Sequence, residues 1–245
     1  MTSSAAGAMD ALDATLRANL AQVRRRIADA ALAAGREPES IRLVAVTKYV
    51  DAATTRALIK AGARDLGEAR PQELWSKAAA LAGLDVEWHL IGHLQRNKLR
   101  RTLTVADWID SCDSSRLLES IDSESAAVGR VAKILLEVNV SGEPAKTGLA
   151  PAEVRAALEL AGSLAHIHVR GLMGMASRSG GLAAAERDFA ALGQLRDELR
   201  AHAPPGVSLD ELSMGMSDDL EAGIRHGATM VRVGSALFAG LAGFD

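Results

Sequence analysis

Lys48 is the residue of this sequence best suited to covalent chemistry. It lies near the end of IRLVAVTKY, residues 41–49, an apolar and β-branched run typical of a buried strand. The chain has 22 arginines but only 6 lysines, so a lysine is a selective choice. A guanidinium stays protonated, whereas a partly desolvated lysine amine loses its proton and forms a Schiff base with an aldehyde or ketone. The alternative is an ordinary strand-end lysine facing solvent.

Two Gly/Ser turns late in the chain could hold an anion attached to that carbonyl compound. They lie in LSMGMSDDLEAGI and VRVGSALF, and the residues concerned are Ser213, Met214, Gly215 and Ser217 in the first and Gly234 and Ser235 in the second. Small residues let a ligand approach the backbone, and free amides at a helix start point at an anion. Together the turns predict a phosphate-binding cup, although each alone is typical of an ordinary turn.

Arg232 lies between Val231 and Val233 in a predicted strand, so alternation places its side chain on the opposite face from theirs. A cation pointing into the interior of the fold needs a partner. The ring nitrogen of a bound cofactor, kept unprotonated by the positive charge, is one candidate. A buried carboxylate is the other.

Other polar residues at predicted strand ends carry weaker signals. His89 and His93 have no Cys or carboxylate at ligand spacing, so we expect hydrogen-bonded structural histidines and no metal site. The basic residues Arg96, Lys98, Arg100 and Arg101 indicate a solvated face or a contact to an anionic ligand. No role is assigned to Glu68, Asp110, Asn139, Met173 and Met175.

The elements that must position these residues alternate between strand and helix. Predicted strands cover residues 41–49, 63–69, 86–92, 105–110, 133–140, 166–175, 209–215 and 229–234. Eight alternating units favour an α/β fold of the (β/α)₈ barrel type, whose ligands bind at the carboxyl ends of the strands, where Lys48 lies. An open doubly wound sheet is the alternative, but no Gly-rich dinucleotide fingerprint follows the first strand.

The chain reads as one domain, residues 1–245, in which residues 1–40 form an extra N-terminal helical segment that lies on the barrel. Apolar residues recur every three or four positions through residues 9–34, which predicts an amphipathic helix. Arg24, Arg25 and Arg26 fall mostly off the apolar stripe and are interpreted as a solvated face.

Composition excludes several classes of partner. A net charge of −3 gives no general attraction to nucleic acid or to an anionic membrane. The single cysteine, Cys112, fits a reducing compartment, and the sequence has no signal peptide or apolar run long enough to span a bilayer. We therefore expect a cytoplasmic protein.

Seven ordered segments closely resemble the pyridoxal phosphate homeostasis proteins, a family related to the N-terminal barrel domain of alanine racemase. The segments are LVAVTKY, LGEARPQE, HLIGHLQRNK, LLEVNVSGEPAKTG, RGLMGM, LSMGMSDD and VRVGSALFAG. The resemblance implies that Lys48 holds pyridoxal 5′-phosphate (PLP) as a Schiff base and that Arg232 faces its pyridine nitrogen. It also implies phosphate binding by Ser213, Met214, Gly234 and Ser235, with Ser217 as a further candidate.

One position departs from the family pattern. The family has an asparagine where this chain has Ala69, so a polar contact to the cofactor is missing or is replaced by Arg70, whereas Asn97 and Lys98 do match. The second domain of alanine racemases, with its opposing tyrosine and much of the dimer interface, has no counterpart, which favours a monomer. Tyr49 is the sole tyrosine, and strand alternation predicts that it points away from the pocket of Lys48.

We therefore predict a non-catalytic PLP carrier or buffer in vitamin B6 homeostasis, which exchanges PLP with apo-enzymes or the free pool. An unprotonated pyridine is a poor electron sink, which fits a role without catalysis. The alternatives are a weak PLP-dependent amino-acid racemase, a barrel aldolase that uses Lys48 directly, and a structural or regulatory protein in which Lys48 is dispensable.

Overall fold

The computed structural model describes residues 2–244, which form a closed barrel of eight parallel strands. The strands are β1 (Arg42–Val46), β2 (Asp65–Glu68), β3 (Glu87–Leu90), β4 (Trp108–Cys112), β5 (Ala132–Val138), β6 (Ile167–Gly174), β7 (Val207–Ser213) and β8 (Met230–Val233). Each strand pairs with the next along the chain, and β8 closes the barrel on β1. The predicted (β/α)₈ architecture is confirmed, and the open doubly wound sheet is excluded.

Helices follow the strands around the outside of the barrel. They are α1 (Thr2–Ala33), α2 (Ala52–Ala61), α3 (Pro71–Ala80), α4 (Leu99–Leu103), α5 (Ser115–Ala127), α6 (Pro151–Ala161), α7 (Gly181–Arg200), α8 (Leu220–Arg225) and α9 (Ser235–Phe238). The Asp51 carboxylate accepts a hydrogen bond from the Thr54 amide at the start of α2, and Pro71 begins α3. Both residues are of types that commonly start helices.

The barrel has an apolar core on each side of its wall. Inside it, Val44, Trp108, Leu135, Met173 and Met230 form one cluster. A much larger cluster fills the space between the strands and the surrounding helices. The separation follows from the period of two along each strand, because successive side chains point to opposite sides of the wall.

Helix α1 precedes the barrel and packs along α2, α8 and α9. Its buried stripe includes Leu16, Leu20 and Val23, in agreement with the predicted amphipathic helix. The interpretation of its arginines as only a solvated face is wrong for Arg26. That side chain donates to both carboxylate oxygens of Glu221 and to the Ser217 carbonyl.

A difference from the predicted elements that affects the site is at the end of β1. This strand ends at Val46 and not at Tyr49, because the Val50 amide donates to the Thr47 carbonyl over 3.1 Å and closes a turn. Lys48 and Tyr49 therefore occupy the two central positions of a turn, where the alternation of a strand does not apply.

Within residues 2–244, none of the helices combines the length and hydropathy needed to cross a bilayer.

Candidate functional site

A cavity of about 830 Å³ lies at the carboxyl ends of the strands. Its wall includes Lys48 after β1, Ser217 after β7, and Arg232, Gly234 and Ser235 at the end of β8. Parallel strands in a barrel bring their carboxyl ends to one rim, so residues far apart in the sequence meet there. Five of the seven residues that the family resemblance implies for the site thus border one space.

Lys48 lies at the rim of the cavity and is exposed, not desolvated in a strand. Its Nζ lies 4.7 Å from the centroid of the Tyr49 ring, a cation–π contact. Tyr49 also lines the cavity, and it is 74% exposed. The prediction that Tyr49 points away from the pocket is therefore wrong, because it assumed that the strand continued through this residue.

Arg232 points into the barrel, as strand alternation predicts, and is 5% exposed. Its guanidinium donates to the Ser213 carbonyl at 2.8 Å, to the Ser213 hydroxyl at 2.7 Å and to the Gly174 carbonyl at 2.9 Å. No carboxylate among residues 2–244 lies within ion-pair distance of it. Burial lowers the pKa of Arg232, an effect opposed by the more distant Asp110, Asp219 and Glu137.

Ser213 and Met214 do not border the cavity. Ser213 is buried and holds Arg232, so its hydroxyl oxygen faces the guanidinium. The Met214 side chain is buried in the outer core, and its amide donates to the Met230 carbonyl over 3.1 Å. Met214 is thus engaged in the barrel wall.

The start of α9 borders the cavity. Gly234 is the N-cap residue, and Ser235 begins the helix. Because the first amides of a helix have no acceptor within it, those of Gly234 and Ser235 are the amides of this wall that are suited to an anion. On the opposite turn, Ser217 is partly buried and Asp218 is exposed, and both line the cavity.

The rest of the wall is largely apolar. Its apolar residues include Met175, Met216, Phe238 and Phe244. The ring centroids of the two phenylalanines lie 5.2 Å apart. Ala69 also lines the cavity, so an asparagine at this position would present its amide there. Arg70 is exposed and is not part of the cavity wall.

His89 lies within the barrel, fully buried, between two carboxylates. Its Nδ1 is 3.1 Å from Asp110 Oδ2, and its Nε2 is 3.4 Å from Asp65 Oδ1. Burial lowers the pKa of His89, but Asp110 and Asp65 outweigh that effect and raise the pKa to about 9. The interpretation as a hydrogen-bonded structural histidine agrees with these contacts.

Sequence reasoning placed no carboxylate at metal-ligand spacing, yet the fold brings ligand atoms of Asp65, Glu87 and His89 within 4.8 Å of one another. Cations already surround this group. Glu87 interacts with Lys133 at 3.2 Å and with Arg42 at 3.4 Å. The arrangement is that of a charge network at the amino end of the barrel.

Several residues around the site escaped the sequence analysis. Lys146 donates to the Ala176 carbonyl at 2.7 Å, next to Met175 of the cavity wall. Asn19 of α1 donates to the carbonyls of Leu237 and Ala239, and so fastens α9 to the N-terminal helix. The four basic residues between 96 and 101, by contrast, do not line the cavity. The contacts of Lys146 and Asn19 join residues that are far apart in the chain, so no local sequence pattern predicts them.

Residues 13–242 of this chain match the family model of the alanine racemase N-terminal domain. A pyridoxal phosphate homeostasis protein of Pseudomonas aeruginosa is 42% identical over 91% of this chain and 95% of its own length. One of Escherichia coli is 36% identical over 90% of this chain and 94% of its own. The chain belongs to the pyridoxal phosphate homeostasis protein family.

Solved structures of similar sequence share the fold of this family member. A protein of Bifidobacterium adolescentis is 39% identical, with a TM-score of 0.88 over 94% of this chain and 96% of its own. PipY of Synechococcus elongatus, solved with PLP bound, is 38% identical. The match has a TM-score of 0.80 and covers 91% of this chain and 99% of PipY. An alanine racemase of Clostridium difficile is only 17% identical, at a TM-score of 0.68 over 91% of this chain and 56% of its own, and shows the shared fold alone.

Proposed function

We propose that the chain binds PLP as a Schiff base on Lys48 and acts in vitamin B6 homeostasis as a PLP carrier or buffer. PipY, a relative with the same fold, has been solved with PLP bound, and the curated relatives are named for PLP homeostasis. The proposal extends that ligand and that role to this chain.

The observation that carries the proposal is the position of Lys48 and Arg232 on one cavity. Lys48 offers a primary amine at the rim, and Arg232 offers a buried guanidinium that no described carboxylate neutralises. The backbone amides of Gly234 and Ser235 complete the set of groups that PLP requires, which are an amine for its aldehyde, a donor for its ring nitrogen and amides for its phosphate. The residues present therefore fit the cofactor.

Each group has a distinct part in this proposal. The Lys48 amine binds the aldehyde, and the amides of Gly234 and Ser235 with the Ser217 turn bind the phosphate. Arg232 faces the ring nitrogen, and Ser213 orients Arg232 through the bond of 2.7 Å. Met214 supports the turn from within the barrel wall through its bond to Met230.

A bound PLP would supply an electron sink for reactions of amino acids, and the arginine limits that capacity by keeping the ring nitrogen unprotonated. Racemisation by two bases requires acid/base groups on opposite faces of the cofactor. Lys48 and Tyr49 are neighbours in one turn and stand side by side. This arrangement supports a role without catalysis.

We further propose that the chain acts as a monomeric single domain in the cytoplasm and exchanges PLP with apo-enzymes. Tyr49 and Met216 border the cavity and are 74% and 38% exposed, so the cavity opens to solvent beside Lys48. An open rim suits a protein that must release its ligand to others.

The test is the absorbance spectrum of the purified protein with added PLP, before and after borohydride, followed by peptide mass mapping. We expect an imine band that disappears on reduction and leaves a pyridoxyl group on Lys48. A protein that takes up no PLP, or that carries the adduct on another lysine, would contradict the proposal. Reductive trapping of a sugar phosphate on Lys48 without any PLP chromophore would favour the aldolase.

A further inference from the structure

Thr47, the residue before Lys48, has all of its polar atoms engaged. Its amide donates to the Gly67 carbonyl at 3.0 Å, and its hydroxyl donates to Glu68 Oε1 at 2.6 Å. Its carbonyl accepts from Lys77 Nζ at 2.7 Å and from the Val50 amide at 3.1 Å. The turn that presents Lys48 thus starts from a residue that is fixed on every side.

Lys77 and Glu68 form a buried ion pair behind this turn, outside the cavity wall. Their charged atoms lie 2.5 Å apart, and their side chains are 5% and 0% exposed. Glu68 comes from the end of β2 and Lys77 from α3, so the pair joins the barrel wall to a helix. Glu68 Oε2 is buried without a hydrogen-bond partner among residues 2–244.

A buried ion pair is a poor way to stabilise a fold, because desolvation of both charges offsets their attraction. An unpartnered carboxylate oxygen adds to that cost. The pair nevertheless directs two of its bonds at Thr47. Its geometry is that of a clamp on the turn.

We propose that Lys77 and Glu68 are positioning residues that hold the Thr47–Val50 turn so that the Lys48 amine faces the cofactor aldehyde. The inference rests on the proposed function, since it assigns these residues a role in the attachment at Lys48. Neither side chain borders the cavity. They act through Thr47 and do not touch the ligand.

The reaction that the clamp assists is a condensation. With PLP bound, the Lys48 nitrogen would add to the aldehyde carbon, a C=N double bond would form, and the aldehyde oxygen would leave as water with the two protons of the amine. Its rate depends on how often the amine lies in line with the carbonyl of a ligand already held by its phosphate. Loosening the turn should therefore slow bond formation without weakening the phosphate contacts.

The experiment compares the wild type with a double variant that carries both Glu68→Leu and Lys77→Met. Replacing both charges leaves no unpaired ion in the protein interior, so the fold should persist. Lys133→Met is the control, since it removes a lysine from an ion pair at the other end of the barrel. Circular dichroism and thermal unfolding check that each variant folds.

Three measurements separate positioning from stability. The rate of imine formation with PLP should fall about tenfold in the double variant, which corresponds to imperfect alignment of the amine. Affinity for pyridoxine 5′-phosphate, which has no aldehyde, should stay within about twofold, because the phosphate contacts are intact. In the protein without ligand, hydrogen exchange at the Val50 amide should accelerate about tenfold, because that amide closes the turn.

An imine rate within about twofold of wild type in a folded double variant would overturn the inference, as would a parallel loss of imine rate and analogue affinity. These results leave the proposed function intact, because the wild type still loads Lys48. A wild type that forms no adduct on Lys48 would instead refute the proposed function itself.

Thr47→Val provides a second variant in case the double variant does not fold. It removes only the hydroxyl that donates to Glu68 and keeps the shape of the side chain. The imine rate should fall about threefold with Thr47→Val and recover with Thr47→Ser, which restores the hydroxyl. Equal rates in the two variants would overturn the inference.

Discussion

The Nζ of Lys48 lies 4.7 Å from the centre of the Tyr49 ring, and both residues face the same cavity from adjacent positions of one turn. The ring lies against the amine, and both side chains are exposed at the rim of the cavity. The proposed attachment point of PLP and its most exposed aromatic neighbour therefore form a single unit.

Tyr49→Ala should accelerate the release of bound PLP about fivefold, because it removes apolar surface beside the imine and admits water. The measurement is the rate at which loaded protein transfers PLP to a trapping amine in excess. Tyr49→Phe is the matched control. The Tyr49 hydroxyl has no hydrogen bond to any residue in the described part of the chain, so this variant should resemble wild type.

Arg232→Met should lower the free energy of unfolding by about 3 kcal/mol, because it leaves the buried oxygens of Ser213 and Gly174 without their donor. Denaturant unfolding monitored by circular dichroism measures this loss. In loaded protein, the ring nitrogen should protonate at higher pH than in wild type, since the neighbouring cation is gone.

Arg232→Lys separates these two effects. Lysine keeps the positive charge but lacks the planar guanidinium that reaches Ser213 and Gly174 together. We expect a loss of stability close to that of Arg232→Met, with little change in the titration of the PLP absorbance. Identical titrations in all three proteins would contradict a place for Arg232 beside the ring nitrogen.

Stability should fall between pH 6.5 and about 9 because of His89, whose pKa rises from 6.5 to about 9 in the folded protein. A group with a raised folded pKa stabilises the fold below its unfolded pKa, and this contribution is lost as the pH rises through the folded value. The free energy of unfolding should fall by about 3 kcal/mol over this range, because each pKa unit of the shift from 6.5 to about 9 corresponds to about 1.36 kcal/mol.

His89→Gln should remove that decline, because glutamine does not titrate. Denaturant unfolding at a series of pH values is the measurement. His93 provides the control, since it pairs with Asp113 at the surface with its side chain 59% exposed, and His93→Gln should preserve the decline. A slope that survives His89→Gln would refute the assignment of this pH dependence to His89.

Ala69→Asn should slow the release of PLP about fivefold, which corresponds to one additional hydrogen bond of about 1 kcal/mol at the cavity wall. Ala69→Leu adds similar bulk without a donor or acceptor. If both variants slow release equally, the effect comes from filling the cavity and not from a polar contact.

The barrel and the cavity proposed as the site were predictable because both depend on local patterns. Alternating strand and helix segments indicate eight crossover units, and closure of the barrel brings Lys48, Ser217 and Ser235 to one rim. The orientation of Tyr49 was not predictable in this way. A single backbone hydrogen bond, from the Val50 amide to the Thr47 carbonyl, closes a turn that ends the strand early and directs the Tyr49 side chain toward the cavity.

The pairing of Lys77 with Glu68 also lay beyond sequence reasoning. In its segment, Lys77 resembles any other polar residue of an amphipathic helix, and only the docking of α3 on β2 buries its charge. Predictions from periodicity identify which face of a helix is buried. They do not identify which polar residue is buried with a partner.

The contacts of α1 bear on how the protein is made. The Asn19 side chain donates hydrogen bonds to the carbonyls of Leu237 and Ala239, which lie 218 and 220 residues further along the chain. The Arg26 side chain donates to the carbonyl of Ser217, which lies 191 residues further along. A ribosome releases the amino-terminal part of a chain first, and such distant contacts form only after the last strand has emerged. During translation, the part of the apolar stripe of α1 that packs on α8 and α9 stays uncovered until those helices are made, and the turns proposed to bind the phosphate are held in place only when synthesis is nearly over. Nascent chains should therefore acquire the capacity to bind PLP abruptly, at the end of synthesis.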